Sequence, residues 1–112
     1  MKMNFKQIDL FSKEFKRFFK KYNSLDGDLL EFKKVLKTYP EGIGKHFTTL
    51  QCKKNIRIIK GRLSCRYLQS SSLRIIYSYD NQNNSIDFIE LYSKSEKSRE
   101  DQERIKNYLK NI

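Results

Sequence analysis

Tryptophan is absent from this 112-residue chain, proline and histidine each occur once, and alanine and valine together are nearly missing. Uninterrupted apolar runs reach only two or three residues. A membrane-spanning helix needs about 20 consecutive apolar residues, so we expect none. The N-terminal segment also lacks the apolar stretch of a secretory signal peptide. These absences predict a cytoplasmic protein.

The two cysteines, Cys52 and Cys65, do not form a C-x-x-C pair, and His46 is the only imidazole that could join them. Structural zinc sites need more ligands than this, and disulfide-stapled domains carry more cysteines. We therefore expect two reduced thiols, and a protein that uses neither a metal ion nor a small-molecule cofactor.

Basic residues outnumber acidic residues by 24 to 13, which gives a net charge of +11. The excess is uneven, because residues 42–79 contain eight cations and no Asp or Glu, whereas the last 33 residues are nearly balanced. Such a stretch in the middle of a fold is typical of a surface that faces phosphate groups. We expect a nucleic acid partner, with a membrane surface or mere solubility as lesser alternatives.

The length suits one domain over residues 1–112, with 8 Phe and 7 Tyr supplying much of the core. The predicted elements begin with an edge strand (3–8) and two amphipathic helices (11–22 and 25–39). Residues 56–68 form a strand or a hairpin around Gly61, and two further strands follow at 73–79 and 86–92. A C-terminal helix opens at a capping box over 98–101. A predicted loop at 40–50 contains His46, which we expect to have no role, although a lone histidine is also a candidate base.

The order β-α-α-β-β-β-α predicts an α+β fold, a small antiparallel sheet with an N-terminal αα-hairpin on one face and a C-terminal helix. Alternation along the strands gathers five polar side chains on the uncovered face: Arg62, Arg66, Glu90, Tyr92 and Lys94. Ile89 and Leu91 are expected together on the covered face. Ile56 and Ile58 lie an even number of residues from Arg62, so a regular strand would place these apolar side chains on the same face as the arginine. We therefore expect a β-bulge at Gly61 that corrects the register.

These groups suit cleavage of RNA by its own 2′-OH, which needs a base, an acid and cations that stabilise the developing negative charge. Glu90 is the candidate base, and Tyr92 is the candidate acid or orienting hydroxyl. Arg74 and Arg62 form the candidate phosphate clamp, because guanidinium groups bind phosphate in a bidentate manner. The further candidate RNA-binding cations are Lys60, Arg66, Lys94 and Lys97. Each of these cations could instead be a solvated surface charge or one half of an ion pair.

The segments KGRLSCRYL, SLRIIYSYD and IDFIELYSKSEK, in this order, resemble the RelE/ParE superfamily of small bacterial toxins. The segments FSKEFKRFFKKY and GIGKH fit the same pattern, so the resemblance covers nearly the whole chain. It implies the toxin of a type II toxin–antitoxin system, with a cognate antitoxin protein as its partner. The RelE-like branch, which we favour, implies an endoribonuclease that cuts mRNA on the ribosome by 2′-OH attack without a metal ion.

In this resemblance, Arg74 matches an arginine that the nuclease members use as a phosphate ligand. Lys60 and Arg62 fall in the strand that supplies their basic cluster, and Lys94 and Lys97 fall where basic residues follow the last strand. The segment SREDQER lacks the tyrosine of the best-studied nuclease branch, and the C-terminal segment contains no histidine. These departures leave two alternatives open, a ParE-type inhibitor of DNA gyrase and a basic RNA-binding module without catalysis.

Overall fold

The protein is described by a computed structural model that covers residues 2–65 and 72–112, so the predicted site residue Arg66 lies outside the described residues. In chain order the elements are β1 (Asn4–Gln7), α1 (Asp9–Lys21), α2 (Leu25–Thr38), β2 (Phe47–Lys53), β3 (Ile56–Ser64), β4 (Ser72–Asp80), β5 (Ser85–Ser93) and α3 (Gln102–Lys110). None of the described helices is both long and apolar enough to cross a membrane.

All five strands join in one sheet, in the order β1-β5-β4-β3-β2. Strand β1 runs parallel to β5, whereas the other neighbouring strands are antiparallel. The predicted α+β class is confirmed, including the edge strand at the N-terminus, the hairpin of α1 and α2, and the C-terminal helix.

Helices α1 and α2 cover one face of the sheet through an aromatic core. Phe11 of α1 stacks on Phe88 of β5, with ring centroids 5.3 Å apart. Phe32 of α2 meets Tyr77 of β4 edge-on, with ring centroids 6.1 Å apart. Burying each of these side chains contributes about 1.5 to 3 kcal/mol, so the rings supply the volume that smaller apolar residues provide elsewhere.

Helix α3 covers part of the opposite face, which the sequence predicts to be open. Ile105 and Leu109 of α3 pack with Ile58 of β3 and Ile76 of β4. This second core explains why Ile58 and Arg62 point to the same face of the sheet. The apolar end of that face lies under α3, and the basic end lies beyond the helix.

The β-bulge predicted at Gly61 was wrong, because Gly61 pairs in regular register with Phe47 of β2 and Ile75 of β4. The glycine permits a close approach of aromatic rings instead. A Cβ atom at this position would lie 3.0 Å from the Phe47 ring and 3.1 Å from the Phe32 ring.

Strand β5 contains an extra residue that changes which face of the sheet its side chains point to. Its register against β4 shifts between Ile76 and Tyr77, which leaves Ile89 as an extra residue. Ile89 packs in the core beneath α3, whereas Leu91 packs in the core beneath α1 and α2. The expectation that Ile89 and Leu91 share a face was therefore wrong.

The predicted loop at 40–50 was wrong in its second half, because Phe47–Lys53 forms the edge strand β2. Only Phe47 and Leu50 of this strand are even partly buried. The strand therefore lacks the alternation of apolar residues by which strands are identified in a sequence.

Helix α3 begins at Gln102, later than the predicted capping box at 98–101 indicates. Asp101 is its N-cap, and the Asp101 carboxylate accepts a hydrogen bond of 3.0 Å from the Arg104 N–H. The residues between β5 and α3, named here the 94–101 segment, are consequently a connection rather than the first turn of a helix.

Candidate functional site

Three basic residues lie in one row across the sheet: His46 just before β2, Arg62 of β3 and Arg74 of β4. The Arg62 N–H donates to the His46 carbonyl oxygen at 3.1 Å, which extends the β2–β3 pairing to His46. Arg62 lies directly opposite Arg74, and Arg74 lies directly opposite Tyr92. Directly opposite residues of paired strands point to the same face, so this row lies on the face that α3 partly covers.

A cavity of about 220 Å³ opens on this face beside the row. Its described lining residues are Lys45, His46, Thr48, Lys60, Gly61, Arg62, Arg74 and Lys94. Five of these eight are Lys or Arg, and none of the eight is a carboxylate. We name this feature the cationic cavity. Its charge and its size suit a phosphate group.

Arg62 and Arg74 place two positive charges directly opposite each other in the cationic cavity. Like charges directly opposite each other on paired strands repel, and the repulsion destabilises the sheet. Partial burial, and after it the Arg62 charge, lower the pKa of Arg74 from its ordinary value. Arginine remains charged at physiological pH even so, and the pair therefore presents two positive charges to any bound anion.

Lys60 lines the cationic cavity but already has a partner. Its Nζ lies 3.0 Å from the Oε1 of Glu100, a side chain that is almost completely buried. Burial alone would raise the pKa of Glu100, but hydrogen bonds, including one from Lys60, and the charges of Lys60 and Arg99 outweigh burial and lower the pKa. Any anion bound in the cationic cavity would therefore compete with Glu100 for Lys60.

Glu90 is not on an open surface, contrary to the prediction. Its side chain has no exposed area, because the 94–101 segment lies over it. Its carboxylate accepts a hydrogen bond of 2.8 Å from the Asp101 N–H and forms an ion pair with Lys97. The contacts of Glu90 hold the 94–101 segment to the sheet, and its buried carboxylate does not line the cationic cavity.

Tyr92 is also buried rather than open, with 2% of its surface exposed. Its hydroxyl has no hydrogen-bond partner among the described residues. Burial, followed by the charges of Glu100 and Glu90, raises the pKa of Tyr92 to about 12. The placement of Tyr92 on an uncovered face was therefore wrong.

The structure thus brings together only some of the predicted site residues. Arg62, Arg74, Lys60 and Lys94 line one cavity. Lys97 does not line it, because its ammonium group pairs with Glu90 and lies 5.2 Å from the centre of the Tyr92 ring.

Four described residues of the cationic cavity were not among the predicted site residues: Gly61, Lys45, His46 and Thr48. Lys45 and His46 immediately precede β2, Thr48 lies within it, and all three fall in the segment predicted to be a loop. Pairing of β2 with β3 places them, since Thr48 lies opposite Lys60 and the His46 carbonyl oxygen accepts from Arg62. Phe47 and the following threonines were the only signal for this strand.

No family model matches the chain, and no curated protein matches it significantly. A solved structure does match: the crystal structure of an archaeal RelE-RelB complex from Pyrococcus horikoshii OT3. The alignment covers 83% of this chain and 96% of the matched chain, with a TM-score of 0.63 and 20% sequence identity. At this identity the similarity shows a shared fold, and the α+β architecture described above is a RelE-like fold.

Proposed function

We propose that this protein is the toxin of a type II toxin–antitoxin system, and that it is an endoribonuclease that cuts mRNA on the ribosome. The observation that carries the proposal is the cationic cavity, with Arg62 and Arg74 in register on adjacent strands. The RelE-like fold supplies the sheet on which the cationic cavity lies. The positive charge of the cavity is a chemical reason to expect a phosphodiester substrate.

In the proposed reaction the ribose 2′-oxygen attacks the adjacent phosphorus, and the bond from phosphorus to the 5′-oxygen breaks. Negative charge builds on the non-bridging oxygens as the phosphorane forms. Arg62 and Arg74 would hold these oxygens through paired N–H donors, and Lys94 would add a third positive charge. The attack itself needs no metal ion, because the nucleophile belongs to the substrate.

A protein antitoxin is the proposed partner. The similar solved structure is of RelE in a complex with RelB, and the net charge of +11 suits an acidic partner protein as well as RNA. Action on ribosomes would place the protein in the cytoplasm.

The test is purified protein added to translating ribosomes, with the mRNA ends read by primer extension. We expect new ends with the wild-type protein, and a loss of roughly a hundredfold in rate with Arg74→Ala, which removes one stabilising group for the transition state. The matched control is Arg57→Ala, an arginine of the same sheet that pairs with Glu41 and does not line the cationic cavity.

Each alternative gives a different result in this assay. A gyrase inhibitor would leave the mRNA intact and cause DNA damage signalling in cells. A basic RNA-binding module would bind RNA with steep salt dependence and leave it uncut. Either result would contradict the proposed nuclease.

A further inference from the structure

The cationic cavity holds groups that bind a phosphate, but strand cleavage also needs a group that accepts the 2′-OH proton. The predicted acid and base residues are poorly placed for this. Glu90 has no exposed area, and Tyr92 is 2% exposed. Burial raises the pKa of Tyr92 to about 12, so its hydroxyl keeps its proton at neutral pH.

His46 is the one imidazole of the chain, and it lines the cationic cavity. The other described lining residues are lysines, arginines, Thr48 and Gly61. Imidazole is the most frequent general base in enzymes, because it accepts and releases protons close to physiological pH. Among the described lining residues, His46 is therefore the best suited to proton transfer.

The backbone fixes His46 beside the proposed phosphate ligands. Its carbonyl oxygen accepts the Arg62 N–H at 3.1 Å, so β2 is held against β3 at this point. Arg62 lies opposite Arg74 in the next strand pair. The imidazole and the two guanidinium groups consequently belong to one row on one face, and His46 is exposed to solvent.

His46 also lines a second cavity of about 590 Å³, which has apolar walls from Phe32, Val35 and Ile43. Arg62 and His46 are the described residues that line both cavities. An imidazole at this junction has space on two sides.

We infer that His46 is the general base of this reaction, an inference that rests on the ribonuclease activity proposed above. A neutral imidazole nitrogen takes the 2′-OH proton as the 2′-oxygen bonds to phosphorus. The 5′-oxygen leaves and takes a proton from water, and His46 returns its proton to solvent. The products are a 2′,3′-cyclic phosphate and a 5′-hydroxyl, with no net uptake of protons.

Charged groups from several elements face the two cavities that His46 lines. They are Asp28 and Glu31 of α2, Lys45 before β2, Lys60 and Arg62 of β3, Arg74 of β4, and Lys94 after β5. Cations are the majority of these described lining groups, and the opposing carboxylates are Asp28, Glu31 and Glu100, which pairs with Lys60. The comparison of wild type with His46→Gln therefore identifies the part of any pH dependence that needs the imidazole.

The experiment compares wild type, His46→Gln, His46→Ala and Arg74→Ala in the ribosome cleavage assay, with RNA binding measured separately. We expect both His46 variants to cut at least about a hundredfold more slowly while their affinity for RNA stays within about twofold. Wild-type cleavage should slow on acidification, and the residual rate of His46→Gln should not. Added imidazole should restore part of the activity of His46→Ala alone.

A His46→Gln protein that cuts within about threefold of wild type, while Arg74→Ala cuts roughly a hundredfold more slowly, would overturn the role of His46 and leave the nuclease standing. Wild-type protein that never cuts would overturn both. Far-UV circular dichroism and urea unfolding confirm that the variants are folded, and imidazole rescue then separates lost proton transfer from a changed structure.

Discussion

Arg62 of β3 and Arg74 of β4 lie directly opposite each other in antiparallel register, and both line a cavity whose described walls contain no carboxylate. Two like charges in this position cost stability in the absence of a ligand. A bound anion relieves that cost, so the pair links the stability of the fold to the occupancy of the site.

Replacing Arg62 with Gln should therefore raise the free energy of unfolding by about 0.5 kcal/mol in phosphate-free buffer, because the repulsion with Arg74 is removed. The same variant should lose most of the stabilisation that added inorganic phosphate gives the wild type. Urea unfolding with and without phosphate measures both effects. Arg57→Gln, whose side chain pairs with Glu41, should keep the phosphate effect. Equal stabilisation of Arg62→Gln and wild type by phosphate would contradict the account.

Arg74→Ala should weaken binding of a short single-stranded RNA by about tenfold, because a charge-assisted contact to phosphate is lost. It should also reduce the slope of log affinity against log salt by about 0.7, the value expected for one phosphate contact on a single strand. Fluorescence anisotropy over a range of salt concentrations gives both quantities. The control is Arg17→Ala, which removes an exposed arginine from α1 that pairs with Glu96. An unchanged slope for Arg74→Ala would place the phosphate elsewhere.

Glu100→Gln should free Lys60 and strengthen RNA binding, because the nearly buried carboxylate no longer competes with phosphate. The folded protein holds the pKa of Glu100 below its ordinary value of 4.5. Glu100 therefore stabilises the fold fully above that value, and its contribution is lost as the pH falls through the lower folded pKa.

Urea unfolding over a series of pH values tests the second effect of Glu100→Gln. The wild type should be the more stable protein at neutral pH, and the difference should shrink in acid. Glu103→Gln, an exposed first-turn acid of α3, is the control and should change little. RNA binding that is no tighter in Glu100→Gln would show that Lys60 is not in competition.

Arg104→Ala should lower the free energy of unfolding by about 3 kcal/mol, because it leaves the Glu14 carboxylate without its partner in a partly buried site. The Arg104 Nη2 lies 2.8 Å from the Glu14 Oε2, and this pair joins α3 to α1. The double variant Glu14→Leu/Arg104→Met should recover only part of the loss, because the Leu91 N–H and the Ile89 carbonyl oxygen also lose their partners Glu14 and Arg104. Urea unfolding measures the free energy of unfolding of each variant. A value for Arg104→Ala within about 0.5 kcal/mol of wild type would show that the pair contributes little.

The class of fold and most of the elements could be predicted, because the aromatic stripes of α1 and α2 have a clear helical period and the inner strands are rich in Ile and Leu. The edge strand β2 could not, since its exposed Thr and Gln side chains carry no periodic signal. His46 lies in a turn just before β2, as the predicted loop required, but without β2 its place beside Arg62 could not be inferred.

The candidate site was predictable in its cations and not in its acid and base. Arg62 and Arg74 share a row because β3 and β4 pair without interruption. Glu90 and Tyr92 have the right parity, yet the 94–101 segment and α3 cover them. The alternation of side chains along a strand assigns each residue to a face, but it does not show which part of that face another element covers.

The most direct test of the central claim is cleavage of an mRNA in which the ribose before the scissile bond carries a 2′-O-methyl group. The account predicts that wild-type protein cuts the unmodified mRNA to a 2′,3′-cyclic phosphate end, that the methylated mRNA stays intact at that bond, and that Arg62→Ala/Arg74→Ala cuts neither. Cleavage of the methylated bond at the normal rate would contradict it.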